Sequence, residues 1–146
     1  MGLLGGKVAV VTGASTGMGR AIAIGMAEEG ASLGLVARRG DALEDTARRA
    51  RELGAEVLSF AGDVADGDFA RKVVTGVAER FGRIDILVNN AGTNTFHRNL
   101  ADISEADWRR VMDTNVTGAF LFARHALRAM RKAGSGQIIN VSSGAA

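Results

Sequence analysis

Short apolar runs alternate with amphipathic stretches along the whole chain. Residues 7–12 (KVAVVT), 32–37 (SLGLVA), 56–61 (EVLSFA), 84–89 (IDILVN) and 137–141 (QIINV) have the length and β-branched content of strands. Residues 7–12 are continuous rather than alternating, as expected of a strand buried on both faces, and residues 137–141 read as a fully apolar central strand. Residues 18–29 read as a helix with Met18, Ile22 and Met26 on one stripe, ended by Gly30. Asp41 with Glu44 three positions on reads as the start of a second helix, running to Leu53 and stopped by Gly54. Asp66 or Gly67 opens a third helix, which runs to Phe81 and is closed by Gly82. Residues 104–132 read as one long helix opened by Ser104. Glu105 and Asp107 at its start and Arg128, Arg131 and Lys132 at its end suit the helix dipole.

Strict alternation of strand and helix implies parallel pairing through right-handed crossovers. The predicted fold is therefore α/β, a doubly wound parallel sheet of Rossmann-like type in strand order 3-2-1-4-5. In such sheets ligands bind beyond the carboxyl ends of the strands, where the strand order reverses. The residues just after each strand are the candidates for chemistry.

After the first strand come Thr12, Gly13, Ser15, Thr16, Gly17, Met18 and Gly19, a turn of spacing G-x-x-x-G-x-G. One glycine permits a tight turn, one lets phosphates approach the backbone, and one lets the helix pack on the strand. The helix start then offers free N–H groups and a positive dipole to a pyrophosphate. After the second strand, near the ribose position of a dinucleotide site, stand Arg38 and Arg39 with no carboxylate beside them. Guanidiniums there can clamp a 2′-phosphate, so NADP(H) is favoured over NAD(H); a pair of solvated surface arginines is the plainer alternative. After the third strand, Asp63, followed by Val64, either accepts from an adenine amine or anchors its own turn. After the fourth come Asn89, Asn90, Ala91 and Gly92, the last two small enough for a ring or ribose to lie against backbone. Asn115 and Gly118 are poor mid-helix residues, so a kink or a polar site is expected there. Ser142-Ser143-Gly144 follows the fifth strand, where either serine could bond a substrate carbonyl.

Composition narrows the function classes. With no cysteine there is neither a disulfide framework nor a thiolate site, and two histidines at unrelated positions argue against a metal centre. His97, beside Phe96, reads as a solvated loop residue, His125 as a surface helix residue, and Trp108 as a packing or interface residue. An isoelectric point of about 9.7 suggests a polyanion partner. The net charge is only +2, however, and without tyrosine or cysteine a small excess of base raises the isoelectric point far, so no nucleic-acid surface is read. No apolar run reaches membrane-spanning length, and the first residues lack the pattern of a signal peptide, so no membrane partner and a cytoplasmic location are expected. Glycine, at 20 of 146 residues, is about twice as frequent as usual.

Together these motifs resemble the short-chain dehydrogenase/reductase family. Thr12 to Gly19 resembles its T-G-x-x-x-G-x-G turn, Asn89 to Gly92 its N-N-A-G segment, and Asn115 its helix asparagine. Ser143 matches its catalytic serine, with Ser142 as the alternative. The resemblance implies an NADP(H)-dependent oxidoreductase that moves hydride between nicotinamide and a small alcohol or carbonyl substrate. In it Ser143 orients substrate and Asn115 sustains a proton-relay water. It also implies a homo-oligomer formed through helix 104–132. The family's Tyr-x-x-x-Lys pair has no counterpart, since the chain holds no tyrosine. Residues 1–146 are accordingly expected to form the dinucleotide-binding part of a longer single-domain protein, incomplete on its C-terminal side and inactive by itself. A non-catalytic dinucleotide-binding module, or a domain with a vestigial site, is the competing reading.

Overall fold

The computed structural model describes residues 2–143. Gly144, read as part of the turn after the fifth strand, lies outside them. In chain order the elements are β1 (Val8–Thr12), α1 (Gly17–Glu28), β2 (Ser32–Ala37), α2 (Gly40–Glu52), β3 (Val57–Ala61), α3 (Gly67–Phe81) and β4 (Ile86–Asn89). They continue with α4 (Glu105–Met112), a π-helical turn (Asp113–Thr117), α5 (Gly118–Ala133) and β5 (Gln137–Asn140). The five strands are parallel in the order β3-β2-β1-β4-β5, as the alternation of elements predicts.

Successive residues of the strands feed opposite faces of the sheet. Ala9 and Val11 of β1 join Leu33, Leu35, Ala23, Ala27, Leu43 and Ala47 under α1 and α2. Val8 and Val10 join Leu87, Val73, Val77, Phe122 and Ala126 under α3 and α5. β1 is buried along its whole length, which explains why its sequence shows no polar alternation. Two helices are closed by their own side chains. Asp66 Oδ1 accepts from the N–H groups of Asp68 (2.9 Å) and Phe69 (3.2 Å) at the start of α3, and Ser104 Oγ accepts from Asp107 N–H (3.1 Å) at the start of α4.

Four expectations are corrected. The buried stripe of α1 is Gly19, Ala23 and Ala27, one position beyond the predicted row, and Met18 is exposed. Ile22 and Met26 are only partly buried against the same core. α2 starts at Gly40 with Arg39 in the N-cap position; Asp41 lies inside the first turn, where its carboxylate accepts from Ala42 N–H at 2.8 Å. Helix 104–132 is two helices joined by the π turn, which falls at Asn115 as the poor helix formers foretold. Gly118 opens α5 and packs so closely on Val64 that only a glycine fits: a Cβ there would stand 2.6 Å from Val64 Cγ2. β5 is exposed along its length rather than buried as a central strand, since it lies at the edge of the sheet.

Candidate functional site

A cleft of about 700 Å³ opens where the turns after β1, β2, β3 and β4 meet. The first turn contributes Gly13, Ser15, Thr16, Gly17, Met18 and Gly19, the second Arg38 and Arg39, the third Asp63 and Val64, and the fourth Ala91 and Gly92. Thus the structure gathers into one cleft most of the residues singled out in the sequence.

The glycine turn is shaped by close approach. A Cβ on Gly19 would lie 2.0 Å from the Gly13 carbonyl oxygen, so the third glycine is required for α1 to pack against the turn. Gly17 has φ +55°, and a Cβ there would meet no protein atom within 4 Å. Its neighbour is the open cleft. No side chain caps the start of α1, and its first turn carries no acid. These features fit a dinucleotide pyrophosphate: approachable backbone, free helix-start N–H groups and no competing carboxylate.

Arg38 and Arg39 are exposed on the rim, and among the described residues neither is paired with a carboxylate. Asp63 is used locally, its Oδ1 accepting from Ala65 N–H at 2.9 Å.

Four sequence candidates lie outside the cleft lining: Thr12, Asn89, Asn115 and Ser143. Thr12 is 2% exposed. Its Oγ1 accepts from the N–H groups of Asn90 (3.1 Å) and Ala91 (3.0 Å) and donates to the Val88 carbonyl at 3.4 Å, so it pins the end of β4 to the end of β1. Asn89 points toward α5, where its Nδ2 donates to the Ala119 carbonyl (3.2 Å) and Asn140 Oδ1 (3.0 Å). It is Asn90 that faces the cleft, its Nδ2 donating to the Thr12 and Gly13 carbonyls at 3.2 and 3.3 Å. Strand parity carried this signal: Leu87 and Asn89 share the face turned to α5.

Asn115 stands on the π turn and grips the loop after β4. Its Oδ1 accepts from Thr93 N–H at 2.7 Å and its Nδ2 donates to the Thr93 carbonyl at 2.9 Å. Arg110 supports the same loop, donating to Thr93 Oγ1 (3.0 Å), the Asn94 carbonyl (3.2 Å) and Asp107 Oδ1 (3.1 Å). The Arg110 guanidinium in turn holds the Asp107 carboxyl below its ordinary pKa. Ser143 is exposed just beyond β5. His97 stays exposed, edge-on to the Phe96 ring at 5.2 Å. His125 is half-buried rather than a surface residue. Burial lowers its pKa, and the charges of Arg128, Arg124 and Arg71 lower it further.

A doubly wound sheet with a glycine turn at the switch point defines a dinucleotide-binding type of protein. The short chain dehydrogenase family model matches residues 7–146, and the chain belongs to that family. It is 42% identical over 137 residues to the cis-4-hydroxycyclohexanecarboxylate dehydrogenase of Sinomonas cyclohexanicum, covering 94% of this chain and 55% of that protein. It superposes with TM-score 0.92 on a metagenomic short-chain oxidoreductase in complex with NADP, at 40% identity, covering 97% of this chain and 64% of the other. It superposes with TM-score 0.93 on an NAD+-bound xylitol dehydrogenase, at 37% identity, covering 97% and 54%. The chain thus spans about half the length of the curated relatives it matches. No helix among the described residues is long and apolar enough to cross a membrane.

Proposed function

We propose that the cleft binds NADP(H) in preference to NAD(H), and that the whole protein moves hydride between it and a small alcohol or carbonyl compound. The observation that carries the cofactor choice is the pair of unpartnered guanidiniums, Arg38 and Arg39, on a rim that offers a ribose 2′-phosphate no repelling carboxylate after β2. Solved relatives hold either cofactor, so the family alone does not choose between them. Bound here, the nicotinamide supplies the hydride donor or acceptor. The chain's own residues do the rest. The glycine turn and the open start of α1 hold the pyrophosphate. Asn90, Ala91 and Gly92 offer a flat backbone wall. Asn115 fixes the loop beside that wall through Thr93 and sustains a relay water; Ser143 orients the substrate oxygen. Reduction of a carbonyl also needs a proton donor. Residues 1–146 contain no tyrosine, so this stretch by itself binds cofactor without turning carbonyls over.

A homo-oligomer is part of the same proposal. α4 buries no residue of its own, and Trp108, Met112, Val116 and Phe120 are exposed at four-residue spacing across α4, the π turn and α5. A second copy laid along this row would cover it.

The test is a calorimetric titration of the unaltered chain and Arg38→Asp with NADPH and NADH. We expect the substitution to weaken NADPH about ten-fold or more, through a lost charge-assisted contact and a new repulsion. NADH should change far less. Equal losses for both cofactors would remove Arg38 from the 2′-phosphate site.

A further inference from the structure

We propose that Arg20 is a positioning residue that sets the span between the glycine turn and the arginine-bearing start of α2. It thereby sets the affinity for ligands that must touch both. This rests on the dinucleotide reading of the cleft given above.

Arg20 lies in the first turn of α1 but is not among the residues lining the cleft. Its guanidinium reaches four oxygen-bearing groups at once. It donates to the Ser15 carbonyl at 2.7 Å, to Thr46 Oγ1 at 3.0 Å and to the Ala42 carbonyl at 3.3 Å, and lies 3.5 Å from the Asp45 carboxylate. Ser15 belongs to the glycine turn, while Ala42, Asp45 and Thr46 belong to the first two turns of α2. One planar fork therefore ties the two together. The acceptor side is rigid. Thr46 is fully buried, and its hydroxyl donates to the Ala42 carbonyl at 3.4 Å, which leaves its lone pairs turned to Arg20. The turn is also tied to β2, by Ala14 N–H to the Val36 carbonyl at 3.0 Å, and to Asn90, through the Gly13 carbonyl at 3.3 Å; neither bond reaches α2.

That start matters because Arg39 is its N-cap residue and Arg38 precedes it directly. The pyrophosphate and the 2′-phosphate of one cofactor are joined through a single ribose, which bounds the distance between them. A protein whose two anchor points are already at that distance loses less freedom on binding. A ligand that reaches only one anchor gains nothing from it. A lysine at position 20 is a point charge without the fork and cannot hold three oxygens in one plane.

The experiment compares the unaltered chain with Arg20→Met, Arg20→Lys, Thr46→Val and Thr46→Ser. NADPH, which spans both anchors, is titrated by calorimetry. 2′-AMP, which reaches only the Arg38–Arg39 side, is titrated by nuclear magnetic resonance, and a thermal melt accompanies each variant. We expect Arg20→Met to lose about ten-fold or more in NADPH affinity while 2′-AMP affinity stays within about two-fold. Arg20→Lys should behave like Arg20→Met. Thr46→Val should show a smaller loss of the same selective kind, and Thr46→Ser, which keeps the hydroxyl, should bind as the unaltered chain does. Unchanged NADPH affinity in folded Arg20→Met overturns the inference, and so does an equal loss for both ligands. If Arg20→Met does not fold, unchanged NADPH affinity in Thr46→Val overturns it. An unaltered chain that binds neither NADPH nor NADH overturns the dinucleotide reading and the inference together. One that binds NADPH no better than Arg20→Met overturns the inference alone.

Discussion

The two ends of the parallel sheet treat their polar groups in opposite ways. At the amino ends of β1 and β4, Asp85 is 6% exposed and fully engaged. Its oxygens accept from Val8 N–H at 2.9 Å and from both Nε and Nη2 of Arg83, with Lys7 4.0 Å away. At the carboxyl ends, α1 begins without a side-chain cap, Gly17 faces empty space, and Arg38 and Arg39 have no acidic partner among the described residues. One end is closed by the chain itself and holds the strands in register. The other is left open in the places where an anionic ligand would close it. Stability and binding are therefore separable, and substitutions at the two ends should fail in different assays.

The largest effect is expected at the closed end. Asp85→Ala leaves Val8 N–H without its acceptor and Arg83 without its carboxylate. Leaving that buried backbone N–H unsatisfied costs about 1–3 kcal/mol, while Arg83, 43% exposed, returns to water. The pH dependence follows from the pKa. Burial pushes the Asp85 carboxyl up, but the Arg83 and Val8 hydrogen bonds and the charges of Arg83 and Lys7 outweigh it and leave the pKa lowered. A depressed folded pKa means stability that is present above the unfolded carboxyl pKa of about 3.9 and lost as pH falls through the folded value. Urea unfolding at neutral and acidic pH should show a steep acid limb that Asp85→Ala flattens. Dinucleotide affinity of the folded fraction should stay near that of the unaltered chain.

Gly17→Val probes the open end. Its Cβ would meet no protein atom within 4 Å, so packing does not oppose it. The strain comes from φ +55°, which costs a β-branched residue about 1–2 kcal/mol. The branched side chain would fill the space the phosphates need, and dinucleotide binding should disappear. Urea unfolding and an NADPH titration on the same sample check both halves. Retained affinity would show that the glycine turn is only a turn.

The closed end and the open end were not equally legible in the sequence. Strand cores were, because β1 is buried on both faces and reads as an unbroken apolar run. So were the helix starts at Asp66 and Ser104, whose caps are local hydrogen bonds. The glycine spacing marked the cleft because close approach demands it at Gly19. The α1 stripe is not legible, because hydropathy favours Met18 and Met26, whereas the structure buries Gly19, Ala23 and Ala27, with Gly19 pressed against the Gly13 carbonyl. Asn89 and Asn90 look alike until strand parity separates them. Arg20 and Thr46 are 26 residues apart, and only folding brings the pair together.

The smallest prediction compares two helix starts at the open end itself. α3 begins at Asp66, whose carboxylate accepts two backbone N–H groups, while α1 begins at Thr16, whose hydroxyl caps nothing. Asp66→Ala should cost about 1 kcal/mol, the usual worth of an N-cap. Thr16→Ala should leave unfolding unchanged, because it removes no hydrogen bond. With NADPH present the pattern should reverse. Asp66 is not among the residues lining the cleft, so its loss should leave the stabilisation conferred by ligand intact. Thr16 lines the cleft beside the open helix start, so its loss should reduce that stabilisation. Thermal melts of both variants with and without NADPH decide it. Equal destabilisation of the two variants without ligand would mean that the start of α1 is closed as well, and that the contrast between open and capped helix starts does not exist in solution.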